Sequence, residues 1–217
     1  MASILFNNVQ AIIWDWNGTL LNDLDVCINA MNRMLKKRNY PLLTEARYKE
    51  IFTFPVQDYY VEAGFDFSRD DWETVAAEFI ANYRKNIHQS VLHDEVNDIL
   101  QRFRSMGKRQ FILSAMQQDF LMETISARLD PSIFEVIAGL NDHYAATKVE
   151  NAHLLVKKIG LPKNKIVMIG DTIHDFEVAE ETGITCILIA NGHQSGERLA
   201  GKGARLIDNL KDLPNLC

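Results

Sequence analysis

Polar side chains that could act on a substrate follow directly after several short apolar runs of this sequence. Asp15, Ser114, Asp171 and Asn191 stand just behind the runs Ala11–Trp14, Phe111–Leu113, Ile166–Ile169 and Cys186–Ala190. Carboxylate oxygens are ligands that magnesium prefers in proteins, so the two aspartates could hold a cation. Because the chain carries a formal net charge of -6, an anionic substrate would need a metal or a local positive site to bind.

Each of these residues also has a purely structural explanation. An aspartate behind a strand can cap the next helix, which applies to Asp15 and Asp171, and Ser114 could play the same part. Lys148 lies in a lysine-rich part of the chain and could be a solvated surface residue. Asp175 could stand in the first turn of a helix, where the dipole favours its charge, and serve both purposes.

The apolar runs have the composition of buried strands. They are short, rich in β-branched residues and apolar on both faces, as the strands of a parallel sheet are. Phe134–Ala138 and Ala204–Ile207 are further candidate strands, and helical patterns cover residues 96–106, 152–159 and 175–183. This alternation predicts an α/β fold with a Rossmann-like, doubly wound parallel sheet. Ligands of such sheets bind beyond the carboxyl ends of the strands, where the polar residues would gather.

A stretch from about residue 22 to residue 89 interrupts the alternation. Helical patterns within it cover residues 24–35, 44–52, 56–63 and 72–83, and no strand is expected there. The sequence therefore predicts an α/β core of residues 1–21 and 90–217. Residues 22–89 would form a helical insert that acts as a lid over the site.

Composition narrows the class of protein further. A hydrophobic fraction of 47% and a charged fraction of 24% in 217 residues are typical of a soluble globular chain. The acidic balance gives no electrostatic footprint for nucleic acid. No apolar run reaches the roughly 18 residues of a membrane span, and a signal peptide is not expected. Three widely separated cysteines, Cys27, Cys186 and Cys217, indicate reduced thiols and a cytoplasmic protein.

Four motifs in order resemble those of the haloacid dehalogenase superfamily. Asp15-Trp-Asn-Gly-Thr19 is similar to its first motif, Asp-x-Asp-x-Thr, and Ser114 at a strand end to its second. Lys148 fits the third motif, and Gly170-Asp171-Thr172-x-x-Asp175 fits the fourth. The resemblance covers essentially the whole chain, because the helical insert lies where the family carries its C1 cap. Within the family, the chain resembles the phosphoglycolate phosphatases.

The resemblance implies a magnesium-dependent phosphatase of small phosphorylated metabolites that forms a phosphoaspartate on Asp15. Magnesium would be held by Asp15, Asp171 and the backbone carbonyl of Asn17. Ser114 and the Ala115 amide would hold phosphate oxygens, and Lys148 would neutralise charge on the nucleophile and the substrate. Asp175 would fix Lys148 or a metal-bound water, and Thr19 would satisfy backbone groups beside the nucleophile.

Asn17 departs from the family pattern. Phosphatases of the family carry an aspartate there, which protonates the leaving oxygen and then activates water. An amide cannot exchange a proton in this way, and the loss of a general acid costs on the order of 10²–10⁴ in rate. The enzyme could use substrates with good leaving groups, such as acyl or aryl phosphates. Another group, among them His174, Asp23 or Asp25, could take over, or the chain could be a weakened enzyme that senses a phosphorylated ligand.

Two other branches of the family fit less well. Dehalogenases work without magnesium, whereas the intact fourth motif with Asp171 indicates a metal. Phosphonatases use a lysine of the cap, and nothing singles out one of Lys36, Lys37 and Lys49. The default substrate is a phosphoglycolate-like compound, with Phe54-Pro55 and Gln57 as candidate specificity residues.

Overall fold

The computed structural model of the chain describes residues 8–140 and 147–216. Its centre is a six-stranded sheet, in which the strand order is β5-β4-β1-β6-β7-β8 and all neighbouring strands are parallel. The strands are β1 (Ala11–Trp14), β4 (Arg109–Gln117), β5 (Val136–Leu140), β6 (Ile166–Gly170), β7 (Thr185–Ile189) and β8 (Arg205–Ile207). The predicted α/β fold with a parallel sheet is confirmed.

A second, two-stranded sheet was not predicted. β2 (Leu21–Asn22) pairs antiparallel with β3 (Val91–Leu92), so that Leu21 lies opposite Leu92 and Asn22 opposite Val91. Two-residue strands show no periodicity that a sequence pattern could reveal. Their pairing holds the start and the end of the helical stretch side by side.

Helices fill the region between β2 and β3 and the crossovers of the large sheet. Between β2 and β3 lie α1 (Leu24–Lys37), α2 (Glu45–Ile51), α3 (Val56–Glu62) and α4 (Trp72–Asn86). The crossovers and the end of the chain contribute α5 (Val96–Ser105), α6 (Gln118–Ser126), α7 (Lys148–Ile159), α8 (Ile173–Thr182) and α9 (Gly196–Leu199). Short 3₁₀ turns at Ile87–Gln89, Pro131–Ile133, Lys163–Lys165 and Leu210–Leu216 complete the described elements.

The central strand β1 sends its side chains alternately into two apolar cores. Ala11 and Ile13 pack with α7 and α8 on one face of the sheet. Ile12 and Trp14 pack on the other face, in a core that continues through Trp16 into the helices between β2 and β3. All four residues are fully buried, which explains why this strand is apolar on both faces.

Cys27 and Cys186 are buried free thiols, and Cys217 lies outside the described residues. Among the helices of the described parts of the chain, none combines the length and the apolar character needed to cross a bilayer.

Candidate active site

Three neighbouring strands bring the predicted residues to one edge of the sheet. β1 lies between β4 and β6, with Trp14 opposite Ile112 and Ile169, and the backbone amide of Asp15 extends the ladder by donating to Ile169. The carboxyl end of β1 therefore presents Asp15 between Ser114 of β4 and Asp171, which follows β6. Asp15, Ser114 and Asp171 are all buried. The sheet thus gathers the residues of the first, second and fourth motifs.

Lys148 reaches this edge from the first turn of α7. Thr147 caps that helix in a capping box with Glu150, which fixes the turn from which the lysine extends. The Lys148 Nζ atom donates to Asp15 Oδ1 and, at 2.5 Å, to Asp175 Oδ1. Burial lowers the pKa of Lys148, but the charges of Asp15 and Asp175 outweigh it, so the pKa is raised and the side chain stays cationic.

Asp175 holds both the lysine and the loop that follows β6. Its second oxygen, Oδ2, accepts from the backbone amides of Asp171 and Thr172, at 3.2 and 3.0 Å, and from the Thr172 hydroxyl at 2.7 Å. Thr172 and Asp175 form the capping box of α8. The side chain therefore serves as a helix-capping group and as a partner of Lys148 at once.

Asp15, Asp171 and Asp175 form an acidic cluster whose ligand atoms lie within 4.8 Å of one another. Burial raises the pKa of Asp15 well above its usual value, against the opposing charge of Lys148. Burial also raises the pKa of Asp171 to about 6, with the charge of Asp175 adding to the effect and that of His193 opposing it. Buried carboxylates that repel one another are the environment that a divalent cation relieves. The oxygen donors of this cluster are therefore of the kind that a divalent cation could bind.

The Asp171 carboxylate is fixed by hydrogen bonds and enclosed by two glycines. Its oxygens accept from the Thr19 hydroxyl at 2.8 Å and from the backbone amide of His193 at 2.6 Å. A Cβ atom at Gly18 or Gly192 would lie 2.3 or 2.2 Å from Asp171 Oδ2. No side chain other than hydrogen fits at either position, and Gly18 also has a φ of +73°.

The side-chain amide of Asn17 takes part in three hydrogen bonds. Its nitrogen donates to Asp23 Oδ2 and to the Tyr83 hydroxyl oxygen, both at 2.8 Å, and its oxygen accepts from Ser114 Oγ at 3.5 Å. The Tyr83 hydroxyl in turn donates to Asp23 Oδ2 at 2.6 Å. An amide fits this place because it donates toward a carboxylate.

A buried ion pair beside Asn17 was missed by the sequence analysis. His193 Nε2 lies 3.2 Å from Asp23 Oδ1, and His193 Nδ1 lies 3.0 Å from the Tyr48 hydroxyl. Burial raises the pKa of Asp23, but the charge of His193 and the hydrogen bonds from His193, Tyr83 and Asn17 together lower it to about 2. Burial lowers the pKa of His193, but Asp23 raises it to about 9. The position of His193 four residues after the end of β7, in the loop at the same edge of the sheet, was the signal that could have revealed it.

His174, the first candidate for a substitute acid, lies elsewhere. It is partly exposed, its ring stacks on Phe54 at 4.8 Å, and its Nδ1 atom lies 3.4 Å from Glu177. His174 is not among the residues that line the cavity described next, whereas Asp23 and His193 are. Asp25 is exposed on α1 and is also absent from the lining.

A cavity of about 250 Å³ opens above the acidic residues. Of the predicted site residues, those on its surface are Asp15, Asn17, Ser114, Ala115, Lys148 and Asp175. Thr19 and Asp171 lie behind them, fully buried. The rest of the lining, called the aromatic wall below, consists mainly of apolar and aromatic side chains, namely Phe52, Phe54, Val56, Phe79, Ile80, Tyr83, Met116 and Phe120. Of the expected specificity residues Phe54 lines the cavity, whereas Pro55 and Gln57 are exposed outside it.

Comparisons with known proteins agree with this geometry. The family profile of the haloacid dehalogenase-like hydrolases matches residues 12–189. The chain is 24% identical over 209 residues to the phosphoglycolate phosphatase of Aliivibrio fischeri, with 90% of each chain covered.

Solved structures share the fold at lower identity. A haloacid dehalogenase-like family hydrolase from Streptococcus pneumoniae superposes with a TM-score of 0.84 at 19% identity, covering 97% of this chain and 100% of the other. CbbY from Rhodobacter sphaeroides, solved in complex with phosphate, has a TM-score of 0.71 at 18% identity, with 94% and 96% covered. The resemblance to haloacid dehalogenase-like hydrolases of the phosphoglycolate-phosphatase type is confirmed.

Proposed function

Because the chain belongs to the haloacid dehalogenase-like hydrolases, we propose that it is a magnesium-dependent phosphatase of small organic phosphates that works through Asp15. The observation that carries the proposal is the Asp15 carboxylate at the end of β1, on the cavity surface and bonded to Lys148. Phosphoryl transfer requires mainly positioning and neutralisation of charge. The cluster around Asp15 supplies both.

The reaction takes two steps on Asp15. In the first, a carboxylate oxygen bonds to phosphorus while the bond from phosphorus to the leaving oxygen breaks, and the leaving group keeps the electron pair. In the second, a water oxygen bonds to phosphorus, the bond from Asp15 to phosphorus breaks, and inorganic phosphate and the free carboxylate result. One water is consumed, and its two protons end on the alcohol and on the phosphate.

The chain's own groups hold the phosphate against the nucleophile. Ser114 Oγ and the backbone amide of Ala115 are donors within β4, on the surface of the same cavity as Asp15, and bind phosphate oxygens. Lys148 neutralises the negative charge that gathers on Asp15 and on the substrate. Asp175 positions Lys148 by accepting its second hydrogen bond.

The metal would be held by Asp15, Asp171 and the backbone carbonyl of Asn17. When bound, magnesium shields the negative charges of the nucleophile and the phosphate from one another. Thr19 and the His193 amide keep the Asp171 carboxylate oriented for this role. The raised pKa values of Asp15 and Asp171 support the assignment, because a cation would restore their ionised forms.

Residues 22–89 are proposed to act as a cap over this site. Four helices lie between Asn22 and Val91, and they contribute Phe79, Ile80 and Tyr83 of α4 to the cavity wall. A cap that closes over the substrate would exclude water during phosphoryl transfer.

A cytoplasmic location is proposed because the buried thiols of Cys27 and Cys186 are free.

The decisive experiment measures phosphate release with and without magnesium, using phosphoglycolate, acetyl phosphate and aryl phosphates as substrates. We expect turnover that requires magnesium and disappears in Asp15→Asn, because the isosteric amide cannot attack phosphorus. Asp25→Asn is the matched control, since Asp25 is exposed on α1 and does not line the cavity. Turnover that persists in Asp15→Asn would contradict the proposal, and so would substrate binding by the wild type without turnover.

A further inference from the structure

We propose that the aromatic wall of the cavity receives the ring of an aryl phosphate, the phosphate ester of a phenol, which is the substrate class of this enzyme. The inference rests on the phosphatase function proposed above and specifies its leaving group. Three features of the site carry it: the shape and chemistry of the wall, the pairing of the cations, and the amide at position 17.

The aromatic wall is arranged to hold a flat apolar group. Tyr83 lies between Phe79, stacked at 5.9 Å, and Phe120, perpendicular at 6.0 Å. Phe52 and Phe54 meet edge to face at 5.6 Å on another part of the wall. A cavity of about 150 Å³ suffices for benzene, so about 250 Å³ accommodates a phenyl ring together with its phosphate. The two-carbon acid of phosphoglycolate would leave most of this wall uncovered.

The basic side chains that line the cavity already contact other residues of the protein. Of the described residues that line it, the basic side chains are Lys148, His193 and Arg84. Lys148 forms ion pairs with Asp15 and Asp175, and His193 forms one with Asp23. The Arg84 guanidinium lies 4.0 Å above the Phe120 ring centroid, on the exposed side of α4. A substrate carboxylate would therefore have no uncommitted buried cation to meet, whereas a ring needs none.

The groups near the leaving oxygen are poor proton donors. The Asn17 nitrogen is bound to Asp23 and Tyr83, and an amide has no proton to transfer. Both ring nitrogens of His193 are occupied, one by Asp23 and the other by the Tyr48 hydroxyl. A leaving group that departs without a proton is therefore favoured in this site.

Phenols leave in this way more readily than alcohols. A phenol has a pKa of about 10, as in tyrosine, whereas an alkyl alcohol resembles water, whose pKa is about 15.7. The phenolate departs with the electron pair of the broken bond and takes its proton from solvent. The penalty of a missing general acid, on the order of 10²–10⁴ in rate, then falls on alkyl phosphates and largely spares aryl phosphates.

Three substrates separate the contributions of the ring and of the leaving group. Phenyl phosphate has both, acetyl phosphate has a good leaving group without a ring, and phosphoglycolate has neither. With magnesium present, we expect kcat/KM for phenyl phosphate to exceed that for phosphoglycolate by about 10² or more. A kcat/KM for phosphoglycolate equal to or above that for phenyl phosphate would overturn the proposal.

The wall itself is tested with Ile80→Ala. Ile80 lines the cavity yet is 49% exposed, so the substitution should leave folding intact. We expect KM for phenyl phosphate to rise roughly fourfold, the equivalent of about one buried methylene, while KM for acetyl phosphate is unchanged. Val61→Ala is the matched control, because Val61 is exposed on α3 and does not line the cavity. An equal effect on both substrates, or none on phenyl phosphate, would place the ring elsewhere and overturn the assignment.

Failure of the two proposals gives different results. If phosphoglycolate is preferred and its turnover still requires magnesium and Asp15, the enzyme is a phosphatase and the aryl assignment is wrong. If no phosphate ester is hydrolysed in an Asp15-dependent manner, the proposed function itself fails.

Discussion

At the scale of single residues, the amide at position 17, where the family motif has a carboxyl group, is suited to its neighbour Asp23. The Asp23 carboxylate is fully buried and accepts from Asn17, Tyr83, His193 and the Gly18 amide. These contacts satisfy one negative charge. A second carboxylate at position 17 would face the first at hydrogen-bond distance without a cation between them.

Asn17→Asp is therefore expected to lower the free energy of unfolding, although it restores the residue type of the family motif. The expected loss at pH 7 is about 1–3 kcal/mol, the cost of replacing a buried hydrogen bond by an unsatisfied contact. Asp23→Asn alone should also cost stability, because it removes the charge partner of His193. In its presence Asn17→Asp should cost less than in the wild type, because two carboxylates no longer face each other. Urea denaturation of the wild type, both single variants and the double variant measures the coupling.

The control for this substitution is Asn97→Asp, since Asn97 is exposed on α5. It should change stability by no more than about 0.5 kcal/mol. If Asn17→Asp proves as stable as the wild type, the Asp23 carboxylate does not constrain position 17 as the hydrogen bonds indicate.

Single residues also show where sequence reasoning succeeds and where it ends. Asp15 and Asp171 could be assigned to one edge because each follows a buried strand, and parallel strands end together. Ser114 reaches the same edge, although β4 does not end before it, as expected, but continues to Gln117. The pairing of Asp23 with His193 joins the start of α1 to the loop behind β7, and no local pattern specifies such a contact. Phe79 and Tyr83 fit the expected helix core, and only the structure shows that the same rings line a cavity.

At the scale of elements, two capped helix starts determine the geometry of the charged cluster. α7 begins at Lys148 behind its cap Thr147, and α8 begins behind Thr172, where Asp175 completes the capping box. Lys148 and Asp175 therefore stand in the first turns, where capping limits the backbone. The helices themselves could be predicted from their apolar period, whereas the pairing of β2 with β3 could not.

Thr147→Ala is expected to affect both stability and catalysis. Loss of the cap should cost about 1 kcal/mol of unfolding free energy, and kcat should fall because the turn that carries Lys148 is less well fixed. Thr44→Ala removes a side-chain cap from α2, whose first three residues, Glu45–Arg47, do not line the cavity. Chemical denaturation and steady-state kinetics on both variants test this. Equal losses of kcat would show that capping of α7 has no special role in positioning Lys148.

At the scale of the whole molecule, the acidic cluster links metal binding to folding. Burial raises the pKa of Asp171 from 3.8 to about 6, so the folded protein holds this proton more tightly than the unfolded chain. Without metal, the ionisation of Asp171 therefore lowers the free energy of unfolding as the pH rises from about 4 through 6. A bound cation would reverse the cost, because it stabilises the ionised carboxylates.

Magnesium is accordingly expected to raise the thermal midpoint of the wild type. At a magnesium concentration of 100 times Kd the free energy of unfolding rises by about 2.7 kcal/mol. For a chain of this size the thermal midpoint then rises by roughly 5–10 °C. Asp171→Asn should lose the gain yet be no less stable than the wild type in chelator at pH 7. Asp98→Asn, an exposed substitution on α5, should keep it. A full magnesium shift in Asp171→Asn would exclude Asp171 as a ligand.

The enclosure of Asp171 by Gly18 and Gly192 bears on how such a protein can change over generations. Because a Cβ atom at either glycine would overlap the carboxylate, nearly every point mutation there is expected to be purged, whatever the substrate. Ile80, which lines the cavity and is 49% exposed, carries no such constraint. Mutations can therefore accumulate at such wall positions while the residues around Asp171 stay the same. A lineage can in this way acquire a new substrate and keep its phosphate chemistry.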